Sequence, residues 1–289
     1  MKTPIKRVGL FGKYGDRGGR EILQRLFALL EARALDIVVE TETAAALDLA
    51  HATSCPLDHI GNEIDLAIVL GGDGTLLNVA RALAIHRIPL IGINTGRLGF
   101  LADVSTENMG IIDDILDGHY QAEERFLLSA EIIRNGVTVL THLAFNDVVV
   151  NKGELARLIE FETYIDEQFV SGSRADGVII ATPTGSTAYA MSAGGPILHP
   201  TLAAIVLVPI CPHTLSNRPL VVHSDSRVEI ILVSDQSAHA TFDGQSNFGL
   251  RNFDRVRVRR AEVPVTLIHP QGRNHYEVLR QKLNWGRKV

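Results

Sequence analysis

The sequence predicts an α/β domain built on a parallel sheet, followed by a second domain rich in β-strands. Three observations carry that expectation. Before about residue 122, short apolar runs alternate with segments whose apolar residues recur every three to four positions. Beyond it, runs of strand length succeed one another between turn residues. Within the first part, the glycine-rich turn Gly71-Gly72-Asp73-Gly74 joins an apolar run to an amphipathic one.

Taken in order, Val8 to Phe11 reads as a buried strand, Ile22, Leu26, Leu29 and Leu30 fall at helical spacing, and Asp36 to Glu40 is strand-like, which makes a β-α-β unit. Leu66 to Leu70 is a short apolar run closed by glycine, and Leu76, Val79, Ala80 and Leu83 recur at i, i+3, i+4 and i+7, as one face of a helix does. Pro89 to Asn94 supplies another buried strand. Ser105 is placed to cap a helix carrying Met109, Ile112 and Leu116, with Gly118 as its stop. In parallel sheets ligands bind beyond the carboxyl ends of the strands. Gly71 to Gly74 lies at one such end, and Asn94-Thr95-Gly96-Arg97-Leu98-Gly99-Phe100 at another.

The β-rich part is read from Phe126 to Ile133, Val137 to Phe145, Ile159 to Ile165, Val228 to Val233, Ala238 to Phe242, Val256 to Arg260 and Val263 to Ile268. Tyr276, Leu279 and Leu283 then return to helical spacing before Trp285, and an amphipathic helix of that length needs a surface to pack on.

With 289 residues, 46% hydrophobic and 21% charged, and a mean hydropathy of +0.13, the chain has ample core and no signature of disorder. No apolar run reaches the length of a membrane span, and Val8-Gly9-Leu10-Phe11-Gly12 is too short and glycine-broken for a signal segment, so a cytoplasmic protein without membrane partners is expected. Cys55 and Cys211 are far apart and outside any CxxC, which argues against a disulfide framework or zinc knuckle and makes reduced thiols the expectation. A net charge of −5 argues against a nucleic-acid binder. The run Arg255-Val256-Arg257-Val258-Arg259-Arg260 has the period of a half-buried strand with a solvated charged face.

Asp73 is an unusual acid. A glycine-rich turn opening a helix is a phosphate cradle, because unpaired amides and the positive dipole end favour an anion. A carboxylate ~5 Å from a phosphate charge is opposed by about 3 kcal/mol at an effective dielectric near 20, so an acid kept there has a use. It takes a proton from an attacking hydroxyl or holds Mg²⁺ on the phosphates; as a plain alternative, it is the helix N-cap. The turn alone leaves these readings open.

A second constellation follows. Asp176-Gly177-Val178-Ile179-Ile180-Ala181-Thr182-Pro183-Thr184-Gly185-Ser186-Thr187-Ala188-Tyr189 gathers hydroxyls and a tyrosine about one turn, suited to a sugar or a base. It reads equally as a Pro-Gly turn before a helix capped by Ser186 or Thr187. Asn146-Asp147 is ordinary turn chemistry, or an acceptor pair for the two hydroxyls of a ribose.

Gly-Gly-Asp-Gly-Thr at 71–75, Gly92 to Leu101, Asn146-Asp147, the run from Asp176 to Pro200, and Pro209-Ile210-Cys211-Pro212-His213-Thr214-Leu215-Ser216-Asn217-Arg218-Pro219-Leu220 resemble, in order, the motifs of the NAD kinases of bacterial type. Gly-Gly-Asp-Gly is shared with lipid kinases and phosphofructokinases; Thr-Pro-Thr-Gly-Ser-Thr-Ala-Tyr with Pro-His-Thr-Leu-Ser is far more restrictive. The resemblance implies an α/β domain of diacylglycerol-kinase and phosphofructokinase type over residues 1–122, joined by the segment 275–289, and a β-sandwich-like NAD-binding domain over 123–274. It implies a homo-oligomer, dimer or tetramer, and transfer of a γ-phosphoryl group from ATP or polyphosphate to the 2′-hydroxyl of the adenosine ribose of NAD, with Mg²⁺ or another divalent ion.

Carried over by position, Asp73 is the base and Gly74 its neighbour at the dinucleotide, with Gly71, Gly72, Gly74 and Thr75 forming the phosphate loop. Asn146 and Asp147 hold ribose, while Phe100, Thr187, Tyr189 and Ser192 surround adenine. Ala190 and Met191 lie in the same NAD-binding run, Asp176 and Ala188 lie toward nicotinamide, and Arg174 contacts phosphate. Arg157 and Gln245 occupy positions that vary in type in the family. Beyond Gln245 the run Phe253 to Ala261 departs from the Gly-Asp and later Ser of many relatives. His213 has no nucleophile motif beside it and reads as a hydrogen-bonding residue. Two rivals stand beside this reading: a lipid or small-alcohol kinase with the same turn, and a non-catalytic dinucleotide sensor.

Overall fold

The computed structural model describes residues 5–12, 17–47, 52–96, 99–102, 104–153, 157–214 and 216–286. Arg97 and Leu98, Leu155 and Ala156 ahead of Arg157, and Leu215 lie outside them. The chain divides into two compact units, Met1–Glu124 with Pro264–Val289, and Arg125–Val263. The returning segment, expected over 275–289, already begins at Pro264.

The first unit runs β1 (Arg7–Gly12), α1 (Arg17–Ala32), β2 (Asp36–Glu40), α2 (Thr41–Leu47), β3 (Thr53–Cys55), β4 (Leu66–Leu70), α3 (Asp73–Leu83), β5 (Leu90–Asn94), β6 (Val104–Ser105) and α4 (Gly110–Leu116). Leu23, Leu26, Phe27 and Leu30 form one stripe of α1 and are buried with Val8, Leu10 and Ile68 of the sheet. The strands lie parallel in the order β3-β2-β1-β4-β5. The chain moves outward from β1 to β3, then places β4 on the other flank of β1. That reversal opens a crevice at the carboxyl ends of β1 and β4, where ligands bind in sheets of this kind. Gly71 and Asp73 follow β4 directly.

One local expectation differs. Ser105 does not cap α4: it sits in β6, its Oγ accepts the Glu107 N–H at 3.2 Å, and α4 begins after Met109 with no side-chain cap. A short hydroxyl turn has won over the helix end. α2 and β3, seven and three residues long, are too short to show a period in the sequence.

The second unit contains β7 (Tyr120–Arg134, from Arg125 onward), β8 (Val137–Ala144), β9 (Asp147–Lys152), β10 (Ile159–Ile165), β11 (Gln168–Ala175), β12 (Gly177–Ala181), α5 (Tyr189–Ser192), β13 (Ala204–Ile210), β14 (Leu220–His223), β15 (Val228–Leu232), β16 (Ala238–Phe242), β17 (Ser246–Leu250) and the first part of β18 (Arg255–Pro270). One antiparallel sheet has the order β14-β13-β12-β9-β16-β17; β11, β10, β15 and β18, with β7 and β8, form the other. Alternation sorts the side chains. Val148, Val150, Val178, Ile180 and Ala240 share a core with Leu128, Ile132, Phe161, Ile230 and Val258 between the sheets. Val149, Ile179, Val206 and Val208 face the other way and pack with Ala190 and Leu198.

β18 corrects another expectation, for the two predicted strands are one strand of 16 residues. Ala261-Glu262 carries no turn chemistry, and the fixed φ of Pro264 is compatible with extended chain. Its arginines behave as the alternation predicts: Val256 and Val258 are buried, Arg257 pairs with Glu229 at 3.2 Å and Glu131 at 3.5 Å, and Arg255 with Glu229 at 3.2 Å. The charged face is answered by acids of the same unit.

The end of β18 pairs Leu267 with Leu90 of β5 in parallel register, adding a strand to the first unit. α6 (His275–Leu283) follows, its N-terminus capped by Asn274, whose side chain accepts the Tyr276 N–H at 2.9 Å. Val278 and Leu279 are its buried face.

Candidate active site

In the first unit, Asp73 occupies the first turn of α3, and Gly72 rather than Asp73 is the N-cap, without a side-chain capping bond. The carboxylate is turned to another loop. Oδ2 accepts the Phe100 N–H at 2.9 Å, and Oδ1 accepts those of Leu101 at 3.2 Å and Ala102 at 3.1 Å. The capping alternative therefore falls. The approach is so close that a Cβ at Gly99 would stand 2.0 Å from Asp73 Oδ1. The Phe100 carbonyl accepts from Arg273 Nη2 at 2.9 Å, and Arg273 Nη1 also meets Glu123 at 3.0 Å. Gly72 and Gly74 are exposed, while a Cβ at Gly71 would press on Thr75 Oγ1 at 2.7 Å.

In the second unit, Asp243 does for residues 145–147 what Asp73 does for 100–102. Its Oδ2 accepts the Phe145 N–H at 2.9 Å, and its Oδ1 those of Asn146 at 2.7 Å and Asp147 at 3.1 Å. Its own N–H donates to the Asp147 carbonyl at 3.0 Å. Asp243 and Gly244 turn the β16–β17 hairpin with φ of 50° and 64°. Asn146, Asp147, Ala188, Tyr189 and Asp243 then line one pocket of about 250 Å³, with Val149, Asn151, Thr241 and Gly244. Four residues carried over from the resemblance are brought together; Asp243, Thr241 and Asn151 were missed, although Asp243-Gly244 is a hairpin signal in its own right.

Burial, followed by the charge of Asp243, pushes the Asp147 carboxyl up to about 7. The sign follows from proton linkage. Below the ordinary carboxyl value both folded and unfolded chains hold this proton, so its contribution to stability is fully present; it is lost as pH rises through about 7, where only the unfolded chain has already released it. Asp147→Asn removes the effect. Between about pH 5 and about pH 8 the variant should gain roughly 3 kcal/mol relative to the parent, measured by denaturant unfolding; parallel pH curves for the two proteins would refute the assignment.

In the Thr182 to Tyr189 run, the hydroxyls of Thr182, Thr184 and Ser186 are bonded within the protein. Thr182 Oγ1 donates to the Phe145 carbonyl at 2.7 Å, Ser186 Oγ donates to the Pro183 carbonyl at 2.6 Å and accepts the Leu198 N–H at 2.9 Å, and Thr184 Oγ1 accepts from Arg125 at 3.0 Å. All three are buried. Neither Ser186 nor Thr187 caps α5; its N-cap is Ala188 without a side-chain bond, and Thr187 Oγ1 donates to the Thr184 carbonyl. The run is a brace. Thr182 N–H also donates to the Asn146 carbonyl at 2.9 Å, and a Cβ at Gly185 would lie 2.0 Å from that oxygen. What the brace presents to the pocket is Ala188 and the half-exposed Tyr189.

Other expected residues lie elsewhere in the unit. Asp176 pairs with Lys152 at 2.6 Å, and exposed Arg174 with Glu160 at 3.7 Å. Ala190 is fully buried in the core behind the pocket wall; Met191 is partly buried, and Ser192, Arg157 and Gln245 are exposed. His213 is exposed, its N–H bonded to the Arg174 carbonyl at 2.9 Å. Cys55 and Cys211 are both free thiols.

Residues 8–120 match the ATP-NAD kinase N-terminal domain, and residues 145–270 the ATP-NAD kinase C-terminal domain. The NAD kinase of Thiobacillus denitrificans is 49% identical over 290 residues, covering 100% of both chains. Among solved structures, the yeast NADH kinase complexed with NADH superposes with a TM-score of 0.90 at 25% identity, over 100% of this chain and 90% of that one. An NAD kinase from Archaeoglobus fulgidus in complex with ATP gives 0.78 at 26% identity, over 96% and 98%.

Proposed function

The chain belongs to the NAD kinase family and phosphorylates NAD to NADP, and from that premise we propose how its own residues divide the work. The acceptor is the 2′-hydroxyl of the adenosine ribose. The pocket of the second unit holds the nucleoside, and the observation that carries this is the convergence of Asn146, Asp147, Ala188 and Tyr189 on one cavity of about 250 Å³. Asn146 and Asp147 take ribose hydroxyls; Tyr189 offers a flat face to a base. Thr187 and Ala190 support that wall from behind, and Met191 and Ser192 continue it. Arg157, Arg174, Asp176 and Gln245 act at the periphery of the same ligand.

In the first unit, Gly71, Gly72, Gly74 and Thr75 form the phosphate loop, with Phe100 beside it, and Asp73 is the base. A carboxylate has about four acceptor positions. Three amides occupy three of them at Asp73, two on Oδ1 and one on Oδ2, leaving one position on Oδ2 for a hydroxyl proton. The same bonds fix the direction in which that oxygen accepts. Among the described residues no group of three or more His, Cys, Asp or Glu is arranged as a metal cage. Mg²⁺ would arrive on the donor's phosphates and would there neutralise charge on the transferred group.

The protein works in the cytoplasm as a homo-oligomer. Separately, no helix among the described residues is long and apolar enough to cross a membrane. Incubating it with Mg²⁺-ATP or Mg²⁺-polyphosphate and NAD, with NADP read by a coupled dehydrogenase, should yield NADP with at least one donor. Absence of NADP with both donors would overturn the reading.

A further inference from the structure

Among the polar groups that line the pocket, Asn151 is left without a task by the reading above. Asp147, Val149 and Asn151 alternate along β9 and all line the cavity. Asn151 Oδ1 is buried and, among the described residues, has no hydrogen-bond partner. Its neighbours in the sheet do not supply one: Gly177, opposite on β12, has no side chain, and on β16 it faces His239. Buried amide oxygens nearly always accept a hydrogen bond, so an unsatisfied one beside a cavity points to a donor that arrives with a ligand. With no bond fixing its oxygen, the amide can turn about its broad last torsion to meet that donor.

The position narrows the donor. Asn151 lies four residues along an extended strand from Asp147, about 13 Å away, so one ribose does not reach both. Val149 and the Tyr189 ring make the surrounding wall apolar and partly flat, which fits the plane of a base better than a sugar or a phosphate. On the bases of NAD the strong exocyclic donors are NH₂ groups, one on adenine and one on the nicotinamide carboxamide. Resting on the assignment of this pocket to the dinucleotide, we infer that Asn151 Oδ1 accepts a hydrogen bond from an exocyclic NH₂ of NAD and thereby selects against analogues that lack it.

Two analogues separate the sources: the hypoxanthine dinucleotide, in which an oxo group replaces the adenine NH₂, and the nicotinic acid dinucleotide, in which a carboxylate replaces the carboxamide. Calorimetric Kd values are measured for NAD and both analogues on the parent protein, Asn151→Leu and Asn151→Ala, with a thermal melt of each to confirm folding. The parent should prefer NAD over one analogue by about tenfold. Asn151→Leu should bind NAD about tenfold more weakly and that analogue unchanged, so the preference disappears and the analogue concerned names the end of NAD that is read. Should the leucine variant fail to fold, the alanine variant makes the same comparison. Preferences over both analogues that persist in the folded variant would overturn the inference while leaving the pocket assignment intact; a parent protein that binds none of the three would overturn the pocket assignment itself.

Discussion

Asp73→Asn is expected to lower kcat for NADP formation by about 10²–10⁴-fold, the usual contribution of a positioned base. The structure adds a second effect that separates this variant from simple removal of a proton acceptor. An asparagine can keep its oxygen toward Leu101 and Ala102, but its NH₂ then faces the Phe100 N–H, donor against donor. That loss should lower stability by about 1–3 kcal/mol and loosen Phe100 as well. KM for NAD should therefore rise modestly while kcat collapses, as steady-state kinetics and a denaturant titration on the same preparation will show. Undiminished kcat would remove Asp73 from the role of base and leave it as an anchor for residues 100–102.

The second large effect is at Asp243. Asp243→Ala deprives three consecutive amides, those of Phe145, Asn146 and Asp147, of their acceptor in a largely buried place. Each unsatisfied donor costs about 1–3 kcal/mol, tempered by whatever water enters the vacated volume, so a loss of roughly 3–5 kcal/mol in unfolding free energy is expected. Because Asn146 and Asp147 are the residues proposed to hold ribose, NAD affinity should fall about a hundredfold alongside. Removing the charge of Asp243 also relieves the smaller of the two causes that raise the Asp147 carboxyl, so its titration should move down toward the ordinary range. NAD affinity unchanged in a folded Asp243→Ala protein would show that the pair needs no such support.

How far the sequence reaches depends on the distance over which each feature is decided. β2, β4, β10 and β16 have the bounds expected of them because a strand's period, or a run bounded by glycine, is local. The join of two expected strands into β18 is not legible, since the alternation slips at Arg259 and Arg260, both exposed, and the pairing that carries the strand past them is not local. The same holds for the site. Asn146, Asp147, Ala188 and Tyr189 stand in motifs that announce themselves, whereas Asp243 is 96 residues from Asp147 and meets it only because Phe242 pairs with Val148 across β16 and β9. Thr182, Thr184 and Ser186 looked like ligand groups because hydroxyl density is visible in a sequence and the carbonyls that consume it are not.

The three amides that end on Asp73 have one more use. An amide proton shifts with the strength of its hydrogen bond, and those of Phe100, Leu101 and Ala102 all report on a single carboxylate. In an isotope-labelled sample they form a built-in set of probes, two reading Oδ1 and one reading Oδ2. A ligand hydroxyl that takes the remaining position on Oδ2 should perturb the Phe100 resonance first, whereas protonation or displacement of the whole group should move all three together. The state of the proposed base can thus be followed by spectroscopy in the absence of turnover.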